Sequence, residues 1–492
     1  MKFTLVLKNS FFYTIAIALQ GMISFFLLPV YTKYLLPSDY AILALVNSFI
    51  GIVSSIVTLQ IHNGIPVFVI KFLKDEERAK KYFTSIFLLL GIILLLSCFF
   101  IELFGDRLIK FMFLNKDGIA YAPYFRIATW TLLPTLLIGC ALLLLQTLER
   151  GNKYFIVVLI QVVLSVSLGL FFVVFLKAGV VGVLWAQCIG AICGLGFVVW
   201  LVRDWLTWFL PKFPLKDIKD SLRYSIPIIP HILSIYIYMY SDRLILQRYV
   251  PLSDIGIYSI ADTFAYVLLV IANATTSAYS PRFFKLAEQD VKTCQEETKN
   301  FIGIWWIGIM VIFMGYLLLS GYIVKLLTRP SFYASIPLIP ILATAYLFRG
   351  LYCFALNGIA FVRKTALIPV ITITAAGLNI GCNLVFIPKF GIYAASWSTV
   401  ASYLTTFILA YYFSKRYFPV LFPWKQIGKV IVVSLVFYIV IEHINRISHF
   451  GLHTGFVMNC IMLSLFALTT VFCLYRNKAF VLLKASWEGL TT

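Results

Sequence analysis

Residues 83–104 read FTSIFLLLGIILLLSCFFIELF, and the only clearly polar side chains among them are Thr84, Ser85, Ser97 and Glu102. A helix needs about 20 apolar residues to cross the hydrocarbon core of a bilayer. Residues 155–176 form a second such run, and residues 430–441 a shorter one. No short apolar/polar alternation of the barrel type accompanies them, so the spans are predicted to be helices whose backbone groups are satisfied internally.

Working outward, the rest of the chain has the same character. Of its 492 residues 61% are hydrophobic, 17% aromatic and only 12% charged. A soluble chain carries about 25% charge, so the solvent for most of this one is lipid. Fourteen spans are predicted, near residues 10–32, 40–61, 83–104, 121–147, 155–176, 179–202, 224–247, 255–280, 301–325, 333–361, 365–388, 391–413, 426–444 and 454–474. Lys2 and Lys8 precede a first apolar stretch that runs past Tyr31 without a small-residue cleavage site, which reads as an uncleaved first span.

Most of the 40 Lys and Arg fall in the N-terminal segment and the loops on its side of the membrane. The bias predicts that this side is cytoplasmic, and an even span count puts both termini there. The net charge of +20 is thereby read as cytoplasmic loops. No loop is long enough for a basic nucleic-acid-binding domain. The nine Cys form no CxxC pair and read as small packing residues. His443, His449 and His453 gather in the last outer loop, with a spacing that fits no common metal-ligand pattern.

The sequence repeats. Leu7-Lys8-Asn9-Ser10 matches Leu222-Arg223-Tyr224-Ser225 at an offset of 215, which also aligns Ser38-Asp39 with Ser253-Asp254 and Phe49 with Phe264. Lys71 matches Lys285 at 214, Arg150 matches Arg363 at 213, and Gly179 and Trp185 match Gly391 and Trp397 at 212. The offset drifts by single residues, as small deletions would produce. Spans 1–6 therefore recur as spans 7–12. Three units are expected: a six-helix bundle over 1–210, a second over 211–415, and helices 13–14 with a cytoplasmic tail over 416–492. An even repeat makes the halves parallel, and transporters bind between such halves. A duplicated scaffold without a pathway is the competing reading.

Ionisable and polar residues inside spans mark pathways or pair with one another. At about 100° per residue, Tyr258, Asp262, Tyr266, Asn273 and Thr276 share one face of span 8. Their repeat mates in span 2 include Asn47 and Thr58, with Ser54 between them. Span 7 adds Tyr224, His231, Tyr238 and Asp242, in a segment loosened by Pro227 and Pro230. Two such stripes would line a wet cleft between the halves. Arg349 lies near the middle of span 10 and Arg126 in the outer part of span 4, and they are not repeat mates. Polar glue between helices competes with each functional reading. Arg126 can also snorkel. Lys8 and Arg223 could form a basic vestibule, although the ordinary positive-inside bias explains them better.

Three segments carry a resemblance. Ser241-Asp242-Arg243-Leu244-Ile245-Leu246 followed by Ser253-Asp254-Ile255-Gly256-Ile257-Tyr258 is similar to the region joining the seventh and eighth helices of polysaccharide flippases. Leu378-Asn379 through Asn383-Leu384, with Ile387-Pro388-Lys389-Phe390-Gly391, resembles their connection between helices 11 and 12, and Leu36-Pro37-Ser38-Asp39-Tyr40 their first outer loop. The chain resembles Wzx-type O-antigen or capsule repeat-unit flippases of the multidrug/oligosaccharidyl-lipid/polysaccharide exporter superfamily. Ala41 and Tyr393-Ala394 depart from its glycine pattern.

The resemblance implies an all-α, MATE-like polytopic fold of fourteen helices in a bacterial inner membrane. It also implies a non-enzymatic carrier that turns a polyprenyl-diphosphate-linked oligosaccharide from the cytoplasmic to the periplasmic leaflet. A polysaccharide polymerase and a chain-length regulator would be its partners, and no cofactor is expected. By the same resemblance, Arg349, then Arg126 and Arg243, would meet diphosphate or acidic sugars. From the polar helix faces, Asn47, Asn273, Tyr224 and Tyr258 would complete the substrate site, and Asp262 and Asp242 would couple transport to protons or sodium. A drug exporter or another lipid-linked-precursor flippase of the superfamily is the nearest alternative. A membrane polymerase or glycosyltransferase is more remote, since no large outer loop or Asp-x-Asp loop motif is present, and the lack of a Walker A sequence argues against direct ATP drive.

Overall fold

In a computed structural model, residues 2–112, 122–207, 214–448 and 452–475 are described, and every regular element among them is helical. His449 and the tail from residue 476 lie outside the described residues, as do the side chains of Lys8 and His453. The first half comprises α1 (Lys2–Tyr34), α2 (Pro37–Val57), the short α3 (Ile65–Phe72), α4 (Glu76–Met112), α5 (Ala122–Thr147), α6 (Gly151–Leu170) and α7 (Gly179–Leu201). The second comprises α8 (Leu215–Ser225), α9 (Ile229–Leu246), α10 (Leu252–Gln289), α11 (Val291–Leu327), α12 (Leu338–Phe361) and α13 (Leu367–Tyr417). Two further helices, α14 (Trp424–Ser448) and α15 (Leu452–Tyr475), follow.

Ten described helices are long and apolar enough to cross a membrane. The 51-residue α13 is two spans meeting at Gly391, whose φ of 54° and ψ of −132° only glycine adopts without strain. With α1, α9 and α15 at three more expected positions, the molecule is a fourteen-helix multi-pass membrane protein. Its repeat is structural as well: Gly179, the mate of Gly391, also has positive φ at 57°.

Helix starts follow local chemistry. Pro37 occupies the first turn of α2, where its missing N–H costs nothing. The Asp39 carboxylate reaches back to accept from the Leu36 amide at 2.8 Å. Its repeat mate Asp254 likewise lies in the first turn of α10, following Pro251. Negative charge there complements the helix dipole.

Several boundaries differ from expectation. Span 7 is not one helix, because Pro227 and Pro230 interrupt the amide ladder. A short 3-10 turn at Ile226–Ile228 therefore separates the amphipathic α8 from α9. Helices α10 and α11, of 38 and 37 residues, run well beyond the expected spans. At 1.5 Å per residue each is about 56 Å long, so its extra turns project out of the roughly 30 Å core.

One apolar core fills the first half between α3, α4, α5, α6 and α7. A second fills the other half and reaches across to α1 and α2. A small third cluster joins α14 and α15 to α11. Lipid offers little hydrophobic drive for helix association, so close packing and satisfied polar groups carry it. Buried hydroxyls return to the preceding turn: Ser48 Oγ donates to the Ala44 carbonyl at 2.7 Å, and Ser402 Oγ to Ser398 at 2.7 Å.

Candidate functional site

Helices α2 and α10, mates in the repeat, pack on each other across the junction of the halves. The contact is tightest where both begin. A Cβ on Gly256 would lie 1.7 Å from the Pro37 carbonyl oxygen, so the two backbones touch there. At the same end Thr32 Oγ1 on α1 donates to the Leu327 carbonyl of α11 at 3.1 Å. The Tyr40 and Phe332 rings also meet edge to face there, 5.5 Å apart.

Deeper in, the helices diverge around a cavity of about 710 Å³. Its first-half wall carries no charged residue and sets polar side chains among apolar ones, including Thr131 and Thr135 on α5, Gln161 and Ser165 on α6, Gln187 on α7 and Asn47 on α2. The second-half wall is aromatic, with Tyr236, Tyr240, Tyr258, Tyr266, Tyr346 and Tyr403 among its residues. The Tyr236 and Tyr240 rings stack at 5.8 Å. Asp242, Arg243 and Asp262 are the charged residues of the lining.

These three form one network. Arg243 on α9 places Nη2 2.5 Å from Asp262 Oδ2 on α10 and Nη1 3.3 Å from Asp242 Oδ1. Its Nη1 also donates to the Met239 carbonyl at 3.0 Å. The Tyr258 hydroxyl donates to Asp242 Oδ2, and the Tyr346 hydroxyl to Asp262 Oδ1 at 2.5 Å. The guanidinium also stands over the Tyr258 ring at 5.3 Å. Two carboxylates and one guanidinium leave one formal negative charge. Arg243 and Asp242 are almost fully enclosed, whereas the Asp262 side chain is 21% exposed and is the charged group the cavity meets.

The repeat thus brings Asn47 and Asp262 into one cavity, and Tyr258, Asp242 and Arg243 join them. Arg243 is committed to two carboxylates, so it is a partner of Asp242 and Asp262 and offers no free cation to a diphosphate. The remaining expected residues lie elsewhere. Arg349 does not line the cavity. It sits inside the second half with Tyr238, Tyr403 and Cys353 as neighbours, 4.9 Å over the Tyr352 ring. Arg126, in the outer part of α5, pairs with Glu102 at 3.4 Å and Asp106 at 3.4 Å on the half-exposed rim. Asn273 turns into the second half, where Cys353 Sγ is 3.9 Å from its Oδ1. Tyr224 lies on α8 against Phe68, because the proline break turns that segment away from α9. His231 pairs with Thr372 at 3.0 Å.

Gln161, Gln187 and the α5 hydroxyls were not singled out from sequence. Their signal was an amide or hydroxyl inside an apolar span, which alone does not separate lining from helix glue. Asn379 and Asn383, within a motif that carried the resemblance, are fully buried. Ser241 Oγ and Asn383 Nδ2 both donate to Asn379 Oδ1, at 2.8 and 3.0 Å, which fastens α13 to α9 behind the charged network. Among the described residues no group of three or more His, Cys, Asp or Glu is placed to hold a metal ion.

Comparison with known proteins agrees with this architecture. The chain is 21% identical over 228 residues to the probable low-salt glycan biosynthesis flippase Agl15 of Haloferax volcanii, a match covering 46% of this chain and 48% of that protein. The match therefore spans about half the length of that relative. In fold it is similar to the lipid II flippase MurJ in an inward closed conformation, with a TM-score of 0.74, 16% identity, and 95% and 98% of the two chains covered. It is also similar to an inward-facing multidrug resistance MATE family transporter of the MOP superfamily, with a TM-score of 0.68, 16% identity, and 80% and 94% covered. A family model described as polysaccharide biosynthesis protein matches residues 6–287, more than half of the sequence, and the chain belongs to that family.

Proposed function

We propose that this protein is a flippase that carries a lipid-linked oligosaccharide across a bacterial inner membrane by alternating access. The observation that carries the reading is the tyrosine-rich cavity of about 710 Å³, set with amides and hydroxyls, between two repeat-related halves. Such a volume falls within the range of small-molecule sites, about 300–1,000 Å³, and suits a short glycan. Aromatic faces stack on sugar rings, and amides and hydroxyls match sugar hydroxyls. The family and the glycan-flippase relative support the same class of cargo.

The Lys/Arg bias orients both termini to the cytoplasm. The end crossed by Pro37 and Gly256 is then periplasmic, and the cargo moves outward as a polyprenyl-diphosphate-linked repeat unit for O-antigen, capsule or exopolysaccharide assembly. A polymerase and a chain-length regulator would receive it. In this reading the diphosphate stays near the membrane surface, because Arg243 is occupied.

The network of Arg243 with Asp242 and Asp262 is the proposed coupling element. A proton or sodium ion on Asp262 competes with Arg243 for the same carboxylate. Loading it would free the guanidinium and loosen α9 from α10, a two-state element that ion and cargo can both bias.

The test is a deletion in the native host. Loss of surface polymer with complete lipid-linked repeat units retained on the cytoplasmic side is the expected result. Normal polymer with raised drug sensitivity would replace the reading by a drug exporter. Accumulation of incomplete oligosaccharide would replace it by an enzyme of glycan assembly.

A further inference from the structure

The two walls of the cavity differ in a way that bears on the cargo's charge. On the first-half wall, Thr131, Thr135, Gln161, Ser165 and Gln187 offer hydroxyls and amides and no ionised group. The Gln161 carbonyl oxygen, Oε1, is buried and has no hydrogen-bond partner among the described residues. A buried acceptor without a donor carries an uncompensated desolvation cost, so a ligand that supplies an O–H or N–H, once the Gln161 amide turns its oxygen to the cavity, offsets that cost. On the opposite wall the charged group within reach is the Asp262 carboxylate. The one cation among the described lining residues, Arg243, is held by two carboxylates. Arg349, another cation nearby, has the lining residues Tyr238 and Tyr403 as neighbours but is not itself part of the lining.

We infer that the sugar portion carried in this cavity has no net negative charge: it is a neutral or amine-bearing glycan that donates a hydroxyl or acetamido N–H to Gln161. This rests on the flippase reading above and names its substrate class. A uronate or other acidic sugar would bring a second negative charge against Asp262, with no described lining cation free to take it. In the low-dielectric interior such a like-charge approach is severely penalised. A neutral acetamido sugar meets amides, hydroxyls and tyrosine faces, and an ammonium group would be attracted to Asp262.

The experiment uses the full chain in detergent micelles and reads ligand binding by intrinsic tryptophan fluorescence. The probes are trisaccharides of equal length: neutral N-acetylglucosamine, its de-acetylated amine form, and galacturonic acid. The neutral or amine form is expected to bind at least tenfold more tightly than the uronate. Asp262→Asn should narrow that gap several-fold. Gln161→Leu, which removes the acceptor, should weaken the neutral sugar at least fivefold, and Gln161→Glu should weaken the uronate further. Thermal midpoints of the variants show whether each is folded. Uronate binding equal to or tighter than the neutral sugar overturns this inference and leaves the glycan reading standing. Binding of none of the three overturns the glycan reading and this inference with it.

Discussion

Arg243 on α9 and Asp262 on α10 are joined Nη2 to Oδ2 at 2.5 Å, and the same guanidinium is Asp242's ionic partner. Two carboxylates therefore depend on a single cation in a site walled by tyrosines. Removing one partner of a buried pair costs about 3–5 kcal/mol, because the charge left behind is uncompensated. Arg243→Ala is expected to destabilise the protein by roughly that amount. A lower thermal midpoint and reduced membrane abundance would show it. An unchanged midpoint would mean that the network is not the electrostatic unit described here.

Asp262→Asn separates structure from coupling. Asp262 is partly exposed to the cavity, and Arg243 keeps Asp242 when it is neutralised. The Tyr346 hydroxyl can still donate to the amide oxygen. The fold is expected to survive with little change in midpoint. Flipping in proteoliposomes should lose at least tenfold of its stimulation by an imposed proton or sodium gradient. Full gradient dependence in a stable variant would remove Asp262 from the coupling role.

The crossing of α2 and α10 offers a third test. A methyl group on Gly256 would overlap the Pro37 carbonyl oxygen, which belongs to the backbone and cannot rotate away. Gly256→Ala must separate the two helices at the proposed periplasmic end. A cysteine introduced at Ala44, in the cavity lining, should then be labelled at least several-fold faster by a membrane-impermeant maleimide added from that side. Equal labelling in the presence and absence of the substitution would show that this crossing does not limit access.

Much of the fold was legible because lipid permits few solutions. Apolar length marks the spans, and the 215-residue offset alone identifies α2 and α10 as mates. Asn47 and Asp262 were found the same way, since a shared face and a shared offset place both at the junction. The arginines were not. A guanidinium in a span signals a cost that something must offset, but not what offsets it. Arg243 is answered by Asp242 and Asp262, Arg126 by Glu102 and Asp106, and Arg349 sits against Tyr352. Asp242 is the neighbouring residue of Arg243, but Asp262, Glu102 and Asp106 come from other helices, so only the packing reveals them. Tyr224 was misplaced for a local reason: the prolines after it end the helix that periodicity had extended.

The turn between α10 and α11 makes a pH prediction outside the membrane. Asp290 caps α11, accepting from the Lys292 amide at 3.1 Å, the Thr293 amide at 3.3 Å and the Thr293 hydroxyl at 2.5 Å. These bonds, the Thr293 hydroxyl foremost, hold its carboxyl below the ordinary value of 3.8. A carboxyl whose pKa is depressed by folding stabilises the fold fully above its unfolded value. That contribution is lost as the pH falls through the folded value. Protection of the first-turn amides of α11, taken relative to intrinsic exchange at the same pH, should therefore be high at neutral pH and fall as the pH drops below about 4. Asp290→Asn keeps a capping oxygen and should remove the part of this fall that Asp290 causes, leaving that of the nearby Glu296 and Glu297. Asp290→Ala should exchange faster at every pH. If the wild type and Asp290→Asn respond identically to acid, the carboxylate is not what holds the turn.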